Sequence, residues 1–341
     1  MKAILPALII LLLFITCNKD YHPRTIDDNQ PGGEDTSGVP TDTVSDIPFD
    51  TASSIPLNDL GKNLYMGYVG GLYPNGLNEP SGQYAQDLLE ASKAIIPRDE
   101  NGNPSGDGYI VFISLGASTG GKNMTALIDK TKDNPAVNPK LKLMNGNQPA
   151  GRAPLFIIAD STSDYWTHVL SIIKLHNSTP KQVQVAYLET DDSVTARKFP
   201  ERPDLVKLKI ETCMRTMKAV FPNLKVLYVL GRPRTFNIGP AWNTEPSPYY
   251  FGWACKWAIE DQINGKDSLS YTGEKPLAPM ITWGFYQWAD SLPRKTDGFY
   301  WRRTLSSDGL HANDEGQDSL SSRFQRFLFS DPYASLWYAR H

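Results

Sequence analysis

Beyond residue 55, short apolar runs alternate with longer stretches whose apolar side chains recur at helical spacing. Residues 109–115 form one such run, rich in β-branched and aromatic side chains and stopped by Gly116, as expected of a strand buried on both faces. Similar runs at 140–144, 155–159, 182–188, 224–230 and 278–283 predict further strands. Between them, 204–220 sets Leu205, Leu208, Cys213, Met217 and Val220 near one helix face, and 250–263 does so with Trp253, Trp257 and Ile263. A last helix is predicted over 317–329. Strand alternating with helix, with no internal repeat, predicts an α/β fold in which helices cover both faces of a central parallel sheet. Sites in such sheets lie beyond the carboxyl ends of the strands, so the residues just after each run carry the chemistry.

The first residues follow a different pattern. Met1 and Lys2 precede an almost unbroken apolar run over 4–16, too short at about 1.5 Å per residue to cross a hydrocarbon core of roughly 30 Å. Its length fits the apolar region of a signal peptide. The run ends at Cys17, before polar Asn18, Lys19 and Asp20, and resembles the bacterial lipoprotein cleavage box. Phe14 stands where that box usually has Leu, with Leu13 one place earlier, and Thr16 is larger than the usual Gly, Ala or Ser. The resemblance implies a signal peptide over 1–16, a lipidated Cys17 and a chain anchored in a bacterial cell envelope, at the outer membrane and facing periplasm or exterior. An ordinary signal peptide with an incidental Cys is the other reading. Residues 17–52 then form a Pro-, Gly-, Ser- and Asp-rich tether, leaving 53–341 as one domain.

Composition narrows the class. With 341 residues, 40% hydrophobic and 21% charged, the chain is neither disordered, collagen-like nor a multi-span membrane protein. Three cysteines do not make a disulfide scaffold. The formal charge of −3 divides into −6 from the tether, +1 from Lys2 and +2 from residue 51 onward, and a near-neutral body is not the basic footprint of a nucleic-acid binder.

Two short segments compete for the chemistry. Gly116 to Asn123 nearly spells a phosphate-binding loop, G-x-x-x-x-G-K-[ST], but Asn123 cannot supply the magnesium-binding hydroxyl, and an exported protein meets no steady ATP supply. In another reading, Ser118 is a nucleophile on a strand-to-helix turn; in a third, it is turn chemistry alone. Near the C-terminus, Asp308-Gly309-Leu310-His311 places a carboxylate and an imidazole on one turn, where the carboxylate can orient a general base.

Together the two segments resemble the SGNH hydrolases, the GDSL-type esterases and acylhydrolases, in a subgroup reading Gly-x-Ser for Gly-Asp-Ser. Supporting stretches occur in the family's order: Asn145-Gly146-Asn147-Gln148, residues 182–188, Glu245-Pro246 with 257–262, and Trp283-Gly284 with Trp288-Ala289-Asp290. The resemblance implies a flavodoxin-like three-layer α/β/α sandwich and a serine esterase without metal or organic cofactor. Ser118 is then the nucleophile, His311 the general base and acid, and Asp308 the orienter. It implies an oxyanion hole from the Ser118 N–H, an N–H of Ala150 or Gly151, and a third donor at the position of Asp192. There the family has Asn, and an ionised Asp192 facing an oxyanion would repel it. The expected substrate is a small-molecule or glycan ester, an acetylated carbohydrate first among them; a catalytically weakened glycan-binding lipoprotein is the rival.

Asn147, Gln148, Arg232, Trp283 and Tyr286 are the candidate substrate-binding residues, the two rings belonging to an aromatic group with Phe285, Trp288, Tyr300 and Trp301 that either meets substrate or packs the core. Arg234 is a further candidate for an anionic substrate. Asp160, Ser161 and Asp164 read as caps of the helix carrying Trp166, and His168 and His176 as ordinary helix residues. Cys213 and Cys255 read as buried thiols, a disulfide being the alternative.

Overall fold

The structure is a computed structural model and describes residues 54–149, 153–192, 198–237 and 243–341. The signal peptide, Cys17 and the tether lie outside the described residues. A small hairpin, β1 (Leu64–Tyr65) and β2 (Tyr68–Val69), follows α1 (Leu57–Leu60) and precedes α2 (Gly82–Lys93). The sheet then begins with β3 (Ile110–Gly116), followed by α3 (Ser118–Thr131) and β4 (Leu141–Asn145). Next come α4 (Leu155–Ala159), α5 (Asp164–Leu175), β5 (Val183–Glu189), α6 (Glu201–Val220), β6 (Val226–Val229), α7 (Ser247–Ile263) and β7 (Met280–Trp283). Helices α8 (Asp314–Ser330) and α9 (Ser335–Tyr338) close the chain.

The five long-range strands pair in parallel in the order β4-β3-β5-β6-β7. Every residue of β3 and β5 is buried, and successive side chains go to opposite faces. Val111, Ile113, Leu115, Ala186, Leu188, Leu227 and Val229 join the core with α4 to α7. Phe112, Val185, Tyr187, Val226 and Tyr228 join the core with α2, α3, α8 and α9. Two cores on one sheet make the expected three-layer α/β/α sandwich.

One predicted strand is a helix. Residues 155–159 form α4, with Leu155 and Ile158 buried and Phe156 exposed, which is helical rather than alternating burial. The sheet is built from the other five runs, and this one packs on α6, where Cys213 donates to the Leu155 carbonyl. The expected caps also differ. Asp160 accepts hydrogen bonds from the Thr162 N–H and hydroxyl at 2.9 and 2.7 Å, forming a turn before α5, whose N-cap residue is Ser163. Cys213 and Cys255 are buried free thiols. Among the described residues no helix is long and apolar enough to cross a membrane.

Candidate active site

The chain leaves β3 for β4 on one side and returns to β5 on the other, so a crevice opens at the carboxyl ends of β3 and β5. There the turn Gly116-Ala117-Ser118 is fixed from several directions. Gly116 has φ +131°, and a Cβ added to it would lie 2.0 Å from the Glu189 carbonyl oxygen, so the turn requires glycine. The Gly116 N–H donates to the Tyr165 hydroxyl at 2.9 Å, and the Ala117 N–H to the Glu189 carbonyl at 3.0 Å. The Gln148 N–H donates to the Gly116 carbonyl at 3.0 Å, and Asn147 Nδ2 to the Ala117 carbonyl at 2.9 Å.

Ser118 is the first residue of α3, where N–H groups have no intrahelical acceptor and the helix dipole favours negative charge. Its Oγ lies 2.9 Å from His311 Nε2, across 193 residues of sequence. His311 Nδ1 is 2.7 Å from Asp308 Oδ2. The other carboxylate oxygen of Asp308 accepts the Leu310 and His311 N–H groups at 2.9 and 2.7 Å. Partial desolvation pushes the Asp308 carboxyl up, but the His311 ring and these two N–H groups outweigh it and hold it well below the usual carboxylate range. The loop is closed by the Ser307 N–H and the Ser306 hydroxyl on the His311 carbonyl, and by Asn313, which caps α8 through the Gly316 N–H. Serine, imidazole and carboxylate thus stand in line, an arrangement able to deprotonate a hydroxyl and return the proton to a leaving group.

The remaining expected site residues divide. Ala150 and Gly151 lie outside the described residues. Asp192 does not offer itself as an oxyanion donor: its buried carboxylate is ion-paired with Lys209 on α6, and its N–H is bonded to Asp191 Oδ1. A buried carboxylate needs a cation, and Lys209 supplies it at Oδ2, while Oδ1 has no hydrogen-bond partner among the described residues. Asn147 is occupied in holding the serine turn, with Nδ2 on Ala117 and Oδ1 accepting from the Ser114 hydroxyl, so it is not a free substrate contact. The Gln148 side chain is half-buried.

Arg232, Trp283 and Tyr286 belong to the interior instead of a substrate surface. Arg232 bonds Asp191 Oδ2 at 2.5 Å while Arg202 bonds Oδ1 at 2.9 Å, an ion triad that fixes the end of β5 to α6 and the loop after β6. Trp283 donates to the Leu72 carbonyl at 2.7 Å, and Tyr286 packs edge-on against it at 5.2 Å. Both rings are 3% exposed. Arg234 is likewise buried and paired with Asp290.

Glu189 was not anticipated from the sequence. Its Oε2 accepts from Asn123 Nδ2 at 3.1 Å, Gln287 Nε2 at 3.3 Å and the Tyr187 hydroxyl, directly beneath the serine turn, and burial raises its carboxyl. Asn123, the residue that broke the phosphate-loop pattern, points into this network. The available signal was an ionisable residue ending a buried strand. Among the described residues, no group of three or more His, Cys, Asp or Glu side chains is placed to hold a metal ion.

No family model and no curated protein matches the chain. Among solved structures it is similar to an acylhydrolase candidate from Bacteroides fragilis NCTC 9343, at 11% identity and TM-score 0.38, over 76% of this chain and 100% of that one. It is also similar to a carbohydrate esterase family 3 protein from Talaromyces cellulolyticus, at 11% identity and TM-score 0.36, over 65% of this chain and 98% of that one. At these scores neither likeness carries chemistry to this chain, whose reading rests on its own geometry.

Proposed function

We propose that this protein is a serine esterase of the SGNH type that deacylates an ester through an acyl-enzyme intermediate. The observation that carries the reading is the 2.9 Å contact of Ser118 Oγ with His311 Nε2, continued at 2.7 Å to Asp308, at the start of a helix. In this reading His311 takes the Ser118 proton as Oγ attacks the ester carbonyl carbon. The oxyanion forms against the N–H groups opening α3, with a second N–H from Ala150 or Gly151. His311 then protonates the leaving alcohol, and a water activated by the same imidazole releases the acid. Gln148 is the polar side chain left to meet substrate.

The substrate class we favour is an ester on a carbohydrate, an acetyl group first. That preference rests on the family resemblance and the exported reading, since Trp283 and Tyr286 are interior and Tyr300 is the exposed ring of that aromatic group. Lipid anchoring at Cys17 in a bacterial envelope completes the proposal. A second reading, a weakened glycan-binding lipoprotein, is favoured by one observation: Asp192 supplies no third oxyanion donor. Hydrolysis of p-nitrophenyl acetate by wild type and Ser118→Ala separates the two. The esterase reading expects turnover by wild type alone. Equal rates for both proteins would overturn it.

A further inference from the structure

The loop that carries Asp308 and His311 is held from outside by a chain of contacts that begins at Glu245. Gly309, between the two residues of the dyad, has φ +88° and packs so closely on Phe236 and Asn237 that an added Cβ would sit 3.0 Å from backbone atoms of both. Its carbonyl accepts two hydrogen bonds, from the Phe236 N–H at 2.7 Å and from the buried Thr235 hydroxyl at 3.0 Å. That hydroxyl also accepts the Asn237 N–H at 3.1 Å, so its direction is set. The Thr235 N–H in turn donates to Glu245 Oε1 at 3.0 Å. The same oxygen accepts Trp288 Nε1–H at 3.1 Å, and Oε2 faces the Tyr249 N–H at 3.4 Å. One carboxyl therefore ties together the segment after β6, the segment after β7 and the first turn of α7.

We propose that Glu245 is a positioning residue for the Asp308–His311 loop, acting through Thr235 and Gly309 and touching no substrate. The inference rests on the hydrolase reading for its purpose, since the loop it holds is the one bearing the proposed base. Two features single it out from ordinary packing. The Thr235 N–H is buried and donates to this carboxyl, so losing the acceptor strands a donor at the start of the chain of contacts. The loop has its own closing bonds at Ser306, Ser307 and Asn313, but the contacts from Thr235 and Phe236 on Gly309 tie it to the segment after β6. Because Oε1 alone accepts from both Thr235 and Trp288, an amide carbonyl at this position keeps those two bonds and gives up only the 3.4 Å contact with the Tyr249 N–H.

The test uses the full chain with Glu245→Met, Glu245→Gln, Thr235→Val and Thr235→Ser. Two readouts are taken: backbone hydrogen exchange in the peptide covering 306–313, and the rate at which a fluorophosphonate labels Ser118. Losing one such hydrogen bond should speed exchange at Leu310 and His311 and slow labelling, each by about tenfold, in Glu245→Met and Thr235→Val. Glu245→Gln and Thr235→Ser should keep wild-type values, a rescue that packing alone would not produce. Wild-type exchange in the loop of both disruptive variants overturns the inference, as does exchange rising equally across β3 and β5. If Glu245→Met does not fold, Thr235→Val decides, since Val keeps the shape of Thr. A wild type that takes no label would count against the hydrolase reading, while the exchange data still judge Glu245.

Discussion

At the scale of single residues, the site depends on hydrogen bonds whose loss has a calculable size. Asp308 fixes the tautomer and orientation of His311 through a 2.7 Å contact. Asp308→Asn keeps the shape but reverses the donor at Nδ1, and in a triad this lowers kcat by about 10⁴-fold. Steady-state hydrolysis measures it, with KM expected to stay within about threefold if the lost interaction is made mainly in the transition state. Asp191 tests a different quantity. Its two guanidinium partners are 5–6% exposed, so Asp191→Ala takes a carboxylate from between two buried cations. Breaking a buried pair in this way costs about 3–5 kcal/mol, read as a shift in urea midpoint at unchanged slope. The dyad was legible because Asp-x-x-His is a local pattern. The ion triad was not, because Asp191, Arg202 and Arg232 meet only in the fold, and Arg232 therefore looked available for substrate.

At the scale of elements, the turn from β3 into α3 carries the most constraint. Gly116→Ala would force a Cβ to within 2.0 Å of a backbone oxygen of β5, at a φ that L-residues rarely adopt. The expected loss is at least about 2 kcal/mol by denaturant titration, accompanied by loss of hydrolysis. Sequence pattern placed the strands over 109–115, 140–144, 182–188, 224–230 and 278–283 well, because strands buried on both faces are continuous apolar runs. The same property misled at 155–159, since a five-residue apolar run has no period to distinguish strand from helix. Burial of Leu155 and Ile158 with Phe156 exposed is visible only once the helix is formed. Aromatic residues failed in the same way. Trp283 and Tyr286 cluster in sequence near the site, yet both rings pack beside the edge strand of the sheet, and Trp283 spends its indole N–H on Leu72.

At the scale of the molecule, sheet order brings Ser118 and His311 together, and buried carboxyls make stability depend on pH. Burial pushes the Glu245 carboxyl up to about 7, against donation from Thr235 and Trp288, the nearby charge of Arg234 and the Tyr249 N–H. Tyr250 and Tyr286 also lie within electrostatic reach of it. A carboxyl raised from 4.5 contributes stability that is complete below pH 4.5 and is lost as pH rises through about 7. Glu245→Gln cannot ionise, so its melting temperature should gain on wild type as pH rises from 4.5 to 8; a constant difference would contradict the account. Asp308 acts oppositely, its stabilisation present above the ordinary Asp range and lost as pH falls below it. An activated Ser118 nucleophile should react with an active-site serine reagent. Mass spectrometry of the chain treated with a fluorophosphonate should find one adduct, on Ser118, absent from His311→Ala. An unmodified Ser118 in the folded wild type would contradict the claim.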